Sequence, residues 1–186
     1  STKYFKNFKN IYELGCGPCH NTFEFALRTK NKNFFVTDWA HPSLELANII
    51  EKNKSQFGLE THTFTSNFFD LFEPDQSYKI KPNSILLTFG SMEQLGGDFQ
   101  NLLDFFLEQE CYDFIHIEPI LEIYDRDTEF DDLGFRYGEK RNYLVGFLPK
   151  LLELEKKGII KVHCCNKIIG SGFHDGWTFL KWEKIR

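Results

Sequence analysis

A short apolar run that ends in two glycines one residue apart, Ile11-Tyr12-Glu13-Leu14-Gly15-Cys16-Gly17, commits the chain to a strand that breaks abruptly into a tight turn. Gly15 lets the backbone swing sharply out of the strand, and Gly17 lets a ligand come up against bare main chain. A second apolar run, Phe34-Phe35-Val36, leads to Asp38, 21 residues beyond Gly17. An acid at roughly that distance is where open α/β sheets hold a ribose diol.

The residues inside the turn narrow the ligand. A dinucleotide fingerprint needs glycine or alanine at its third position and free N–H groups facing the pyrophosphate, whereas here that position is His20 and Pro18 has no N–H to give. Glu13 would repel phosphates. It suits instead an adenosyl compound that carries an ammonium group and no phosphate. The same segment contains Cys16-Gly17-Pro18-Cys19, the spacing of thioredoxin-like redox sites, where a helix N-terminus activates a thiol. Those sites have a tryptophan before the first cysteine, this chain has Leu14-Gly15, and redox chemistry leaves Asp38 unexplained. The two thiols are therefore read first as filling a tight turn.

Taken together, these residues resemble the first motif of the class I S-adenosylmethionine-dependent methyltransferases, an acid followed by spaced glycines, with Cys19 standing where the third glycine usually falls. The resemblance implies S-adenosyl-L-methionine as cofactor. Asp38 would then accept hydrogen bonds from the ribose hydroxyls and Glu13 would meet the methionine ammonium, directly or through water. Trp39, Asn67 and Phe68 fall where the family holds adenine, with Asp70 a rival to Asn67. Thr88-Phe89-Gly90-Ser91-Met92-Glu93-Gln94 resembles the fourth motif, a turn beneath the sulfonium, where Gly90 and Ser91 allow close approach. His116-Ile117-Glu118-Pro119, Arg141-Asn142-Tyr143-Leu144 and His174-Asp175-Gly176 are similar to segments of sugar O-methyltransferases, so a small-molecule acceptor, most naturally a sugar or glycan hydroxyl, is implied.

A sulfonium methyl is already activated, which leaves the protein to position reactants, exclude water and, for a hydroxyl acceptor, supply a base. No metal is required. The candidate bases are Glu118, at the end of a strand before Pro119, and His174; His116 and Asp175 are weaker alternatives. Arg141 and Asp175 are candidates for holding the acceptor. The acidic run from Glu118 to Glu139 reads as a solvated loop, because its calcium-like spacing has Phe130 at the sixth position and Arg136 at the twelfth. Its charge disfavours anionic acceptors.

With 186 residues, 41% of them hydrophobic, the chain has room for one sizeable core, so residues 1–186 are expected to form a single cofactor-binding domain. A net charge of −5 and a pI near 5.7 argue against a surface that tracks nucleic-acid phosphates. Neither a membrane-length apolar run nor a signal peptide is apparent, so a cytosolic protein is expected. Cys164 and Cys165, adjacent on one strand, point to opposite faces, and structural zinc is not expected.

Strand and helix signals alternate along the whole length. Strands are predicted at 10–14, 33–37, 60–65, 84–89, 112–117, 159–168 and 177–185, and helices at 18–28, 42–54, 98–110 and 141–157. Asp98 is the expected N-cap of the third helix, and Pro149 is expected to kink or split the fourth. The fold class is α/β: a seven-stranded, mostly parallel Rossmann-like sheet with helices on both faces and an antiparallel last strand. Because the first strand begins so early, the family resemblance implies a piece lacking the N-terminal helices that help close the acceptor pocket. A degenerate, partner-binding relative of the fold is the alternative.

Overall fold

In the computed structural model, which describes residues 4–171 and 174–185 with the side chains of 169–175 excepted, the alternating signals become one seven-stranded sheet. Its strands are β1 (Asn10–Leu14), β2 (Asn33–Asp38), β3 (Thr63–Phe68), β4 (Ser84–Phe89), β5 (Asp113–Glu118), β6 (Ile160–Ser171) and β7 (His174–Lys184). They lie in the order β3-β2-β1-β4-β5-β7-β6, with the first five parallel and β7 antiparallel to both its neighbours. The helices are α1 (His20–Leu27), α2 (His41–Asn53), α3 (Gln100–Glu108), α4 (Glu129–Arg141) and α5 (Phe147–Lys156). The expected fold class is the one observed.

Each inner strand is apolar on both faces, as burial from both sides requires. On β4, Leu86 joins Tyr12, Leu14, Phe114 and Trp182 in the core that also takes in Phe105 and Phe106 of α3 and Leu151 of α5. Ile85 and Leu87 face the other way, into a second core with Ile11, Phe34, Ile115 and Ala26 of α1. By the same alternation Glu13 belongs to the α1 side and His116 and Glu118 to the α3 side.

Several boundaries differ from expectation for local reasons. Strand β3 begins at Thr63 because residues 59–62 close a turn, Leu59 N–H donating to Lys54 O (2.8 Å) and His62 N–H to Leu59 O (2.9 Å). Helix α3 begins at Gln100 with Phe99 as its cap, and Asp98 instead belongs to the preceding turn, its N–H donating to Leu95 O (2.8 Å). Pro18 lies outside α1, which starts only after Cys19 has taken a left-handed conformation (φ 59°). The helix expected at 141–157 begins only at Phe147 and is not split at Pro149. Asn142 (φ 54°) ends α4, and α5 starts after Gly146 (φ 85°) with Pro149 in its first turn, where a missing N–H breaks no helical bond.

Helix α4 corrects the reading of its residues as an acidic loop. Glu129, Asp131 and Asp132 occupy its first turn and Lys140 and Arg141 its last, the charge order that the helix dipole favours. Asp131 is buried, accepts a hydrogen bond from Asp125 N–H (2.8 Å) and pairs with Lys167 of β6, whose ammonium holds its carboxyl below the usual range.

Candidate active site

At the carboxyl edge of the sheet the chain leaves β1 and β4, which are adjacent, in opposite directions, and a cavity of about 390 Å³ opens there. Cavities of this size and position are where open α/β sheets take small ligands. Its walls come from the ends of four strands: Gly15 and Gly17 after β1, Asp38 and Trp39 after β2, Asp70 and Phe72 after β3, Gly90 and Ser91 after β4.

The β1 turn is tied down on both sides. Gly15 (φ 73°) and Cys16 donate their N–H groups to Thr37 O of β2 at 2.8 and 2.9 Å, and Ser91 Oγ donates to Leu14 O at 2.8 Å. Gly15 has no room for a side chain, because a Cβ there would lie 2.3 Å from that of Ser91. Gly17 is the opposite case, since a Cβ at that position would meet nothing within 4 Å. Its N–H donates to Asp38 Oδ2 (2.8 Å), while Ala40 N–H donates to Asp38 Oδ1 (2.8 Å). Two backbone donors thus aim the carboxylate, and each oxygen keeps a lone pair for a ligand hydroxyl. Trp39 leaves its ring 69% exposed beside this acid. Asp70 caps its own turn by accepting from Phe72 N–H (2.8 Å). The Trp177 ring covers Gly90 so closely that a Cβ there would meet it at 2.7 Å.

The cavity lining carries two carboxylates, Asp38 and Asp70, and among the described residues no lysine or arginine. That donor set fits a cationic adenosyl compound. It does not fit a pyrophosphate.

Other sequence candidates lie away from the cavity wall. Glu13 is buried under α1, where Asn21 Nδ2 (3.2 Å) and the Thr22 hydroxyl donate to it; burial raises its pKa to about 7. Asn67 and Phe68 are exposed at the end of β3, Phe68 tilted against His41 with ring centroids 6.1 Å apart. The wall is instead made by the next four residues, Phe69 to Phe72. Ser43 and Gln94, also in the wall, were not anticipated; Gln94 closes the fourth-motif segment, but Ser43 left no local signal. Arg141 is exposed at the end of α4, over the Tyr137 ring. The side chains of His174 and Asp175 lie outside the described residues.

Glu118 is fully buried and absent from the wall, but it supports it. Its Oε1 accepts from Ser91 N–H and Met92 N–H, both at 3.2 Å, bracing the β4 turn from beneath. Its Oε2 and the hydroxyl of Thr178, directly opposite on β7, each lack a hydrogen-bond partner among the described residues. Burial raises its pKa to about 7. This is a positioning role.

His116 is locked as a neutral ring. Trp182 Nε1 is a donor only, so His116 Nε2, 2.9 Å away, must present its lone pair; the ring proton is then on Nδ1, which donates to Thr88 Oγ1 at 2.8 Å. Burial lowers its pKa to about 3. Both nitrogens are committed, which removes His116 from the candidate bases. Trp182→Phe should keep the stacking on Phe114 yet strand that lone pair, at a cost of about 1–3 kcal/mol in urea unfolding; a loss near zero would refute the assigned tautomer.

No family model and no curated protein matches this sequence. Solved structures match its fold. A S-adenosylmethionine-dependent methyltransferase from Methanosarcina mazei superimposes with a TM-score of 0.68 at 9% identity over 98% of this chain and 95% of that one. Mitomycin 7-O-methyltransferase MmcR gives 0.67 at 11% identity, covering 97% of this chain and 50% of that one, so this chain spans about half its length. The N-methyltransferase NodS from Bradyrhizobium japonicum, solved with S-adenosyl-l-homocysteine, gives 0.65 at 9% identity over 96% and 79%. At such identities the likeness is one of fold, and the fold is that of class I S-adenosylmethionine-dependent methyltransferases.

Proposed function

We propose that this chain binds S-adenosylmethionine and transfers its methyl group to a small molecule, with a sugar or glycan hydroxyl as the favoured acceptor. The observation that carries the reading is the cation-free cavity with Asp38 held by Gly17 and Ala40 at the junction of β1 and β4. When bound, the sulfonium supplies an activated methyl group. Asp38 accepts from the ribose diol, and Trp39 and Phe72 flank the adenine. The bare backbone at Gly15 and Gly17 admits the methionine portion, and its ammonium would favour the ionised form of Glu13 beneath. Gly90 and Ser91, braced by Glu118, underlie the reacting centre.

For a hydroxyl acceptor the proton goes to His174, with Asp175 and Arg141 as acceptor contacts. Support comes from the backbone: β7 runs antiparallel to β5 with Thr178 opposite Glu118, which brings the start of β7 to the same sheet edge as the cavity. The acidic first turn of α4 favours neutral or cationic acceptors over anionic ones.

Calorimetry with S-adenosylhomocysteine tests the cofactor. Binding that NAD and ATP do not compete away is the expected result, and absence of binding overturns the proposal. Asp38→Asn should weaken that binding by about 1–3 kcal/mol, roughly five- to 150-fold in Kd, because one ribose donor then meets an amide N–H2. Transfer of a labelled methyl group to a panel of sugars and amines tests the acceptor class; labelling of amines alone would refute the hydroxyl assignment.

A further inference from the structure

The thiols of Cys16 and Cys19 are the one chemical motif of the first turn that methyl transfer does not use. Both are buried, and their sulfurs are 3.5 Å apart. Cys19 N–H donates to Cys16 O at 2.9 Å, closing a hydrogen-bonded turn. Such turns hold their end Cα atoms within about 7 Å, and a disulfide spans about 4.4–6.8 Å between Cα atoms, so no large backbone movement separates the reduced pair from a bond. Cys19 stands in a left-handed conformation (φ 59°), and its thiol lies against the Cys16 sulfur.

The pair also lies against the cavity. Cys19 Sγ is 3.7 Å from Ser43 O and 3.9 Å from Gly17 O, and Ser43 and Gly17 both belong to the cavity wall. The backbone between the two cysteines is the segment whose Gly17 N–H aims Asp38.

We propose that Cys16 and Cys19 are a modification site that closes into a disulfide under a small-molecule disulfide oxidant, and that closure weakens ligand binding in the adjoining cavity. In the first step one cysteine loses its proton and attacks a sulfur of the oxidant, expelling a thiolate that takes up that proton. In the second, the other cysteine loses its proton and attacks the mixed disulfide, forming the Cys16–Cys19 bond and expelling the second small thiol. Two protein thiols are oxidised by two electrons and one small disulfide is reduced to two thiols. Bond formation contracts the sulfur separation from 3.5 Å to about 2.05 Å. Cys16 is tethered to Thr37 O through its N–H and Cys19 is the cap of α1, so the contraction falls on Gly17 and Pro18. Any small backbone adjustment that accompanies the bond therefore acts on the Gly17 amide that aims Asp38. By linkage, a ligand that favours the open dithiol must disfavour the disulfide at redox equilibrium by the same factor.

The effect on ligand is built on the methyltransferase reading; the disulfide itself is not. The test uses a Cys164→Ser/Cys165→Ser variant, which removes the two partly exposed thiols of β6 and leaves Cys111 remote in the core. Protein is equilibrated with glutathione disulfide and mapped by non-reducing peptide mass spectrometry, then titrated with S-adenosylhomocysteine before and after reduction. The expected result is a peptide carrying a Cys16–Cys19 disulfide, absent in Cys19→Ser, less populated at redox equilibrium with the ligand present, and about tenfold weaker binding by the oxidised protein. Persistence of both free thiols, or only mixed disulfides with glutathione, overturns the site. A linked peptide with unchanged affinity overturns the coupling. If the reduced protein binds no ligand, the cofactor assignment fails while the peptide map still decides the disulfide.

Discussion

Gly15→Ala should lower stability by about 2–5 kcal/mol and reduce adenosyl-ligand affinity by more than about a hundredfold, combining a left-handed non-glycine residue with overpacking. The new methyl would stand 2.3 Å from Ser91 Cβ and 2.9 Å from Ser91 Oγ, closer than any non-bonded pair tolerates. Relief requires the β1 and β4 turns to part, which breaks the Ser91–Leu14 hydrogen bond and displaces two cavity walls together. Gly17→Ala is the control. It too has positive φ (50°), but its methyl meets nothing within 4 Å, so only the conformational cost of about 1–2 kcal/mol applies. Urea unfolding and calorimetry on both variants decide the matter: equal losses of stability would show that crowding against Ser91 contributes nothing.

Stability should be greatest near pH 5 and decline toward pH 8, against the more usual optimum nearer neutrality. Glu13 and Glu118 are each raised from 4.5 to about 7, chiefly by burial. A raised folded-state pKa contributes stability that is complete below the unfolded value and is lost as pH rises through the folded one. Each group is thus worth up to about 3 kcal/mol between its two values. His116 is lowered from 6.5 to about 3, again by burial, and acts oppositely: its contribution is present above 6.5 and lost as pH falls. Between 4.5 and 6.5 the folded chain holds two protons on the glutamates while the unfolded chain holds one on His116 and, over part of that window, one more on His62, whose pKa burial also lowers; the slope there is shallow, and the steep loss falls between 6.5 and about 7. Below 4.5 only the histidine loss remains, joined by Asp131 and Asp132, whose partners Lys167 and Arg136 hold them low. Urea midpoints at pH 5, 6, 7 and 8 measure this. A Glu13→Gln/Glu118→Gln variant should flatten the decline, and a wild-type midpoint that climbs from pH 5 to pH 8 would contradict it.

What was legible in the sequence was local. Apolar runs placed β1, β4 and β5 to within a residue, and the acid expected after β2 stands in the cavity wall, whereas the hydrogen bond that the Gly17 amide makes to it was not foreseen. What was not legible depends on tertiary position. The three-residue displacement of β3's start follows from a turn at 59–62 that no single residue announces, and β3 then carries Asn67 within the strand and leaves Asp70 at the cavity. Glu118 occupies the expected strand end, yet its face of β5 turns it beneath the Ser91 turn. Helix α4 was concealed by low apolar content, although the order of its charges was readable.

The close meeting of Gly15 with Ser91 ties the evolutionary freedom of one loop to that of the other. Room for a methyl at the first position exists only if the second gives up its own, so Ser91→Gly should rescue Gly15→Ala in part although it is itself a loss. Two motifs far apart in the sequence would therefore drift as one unit, and lineages that relax either should be found to have compensated at the other.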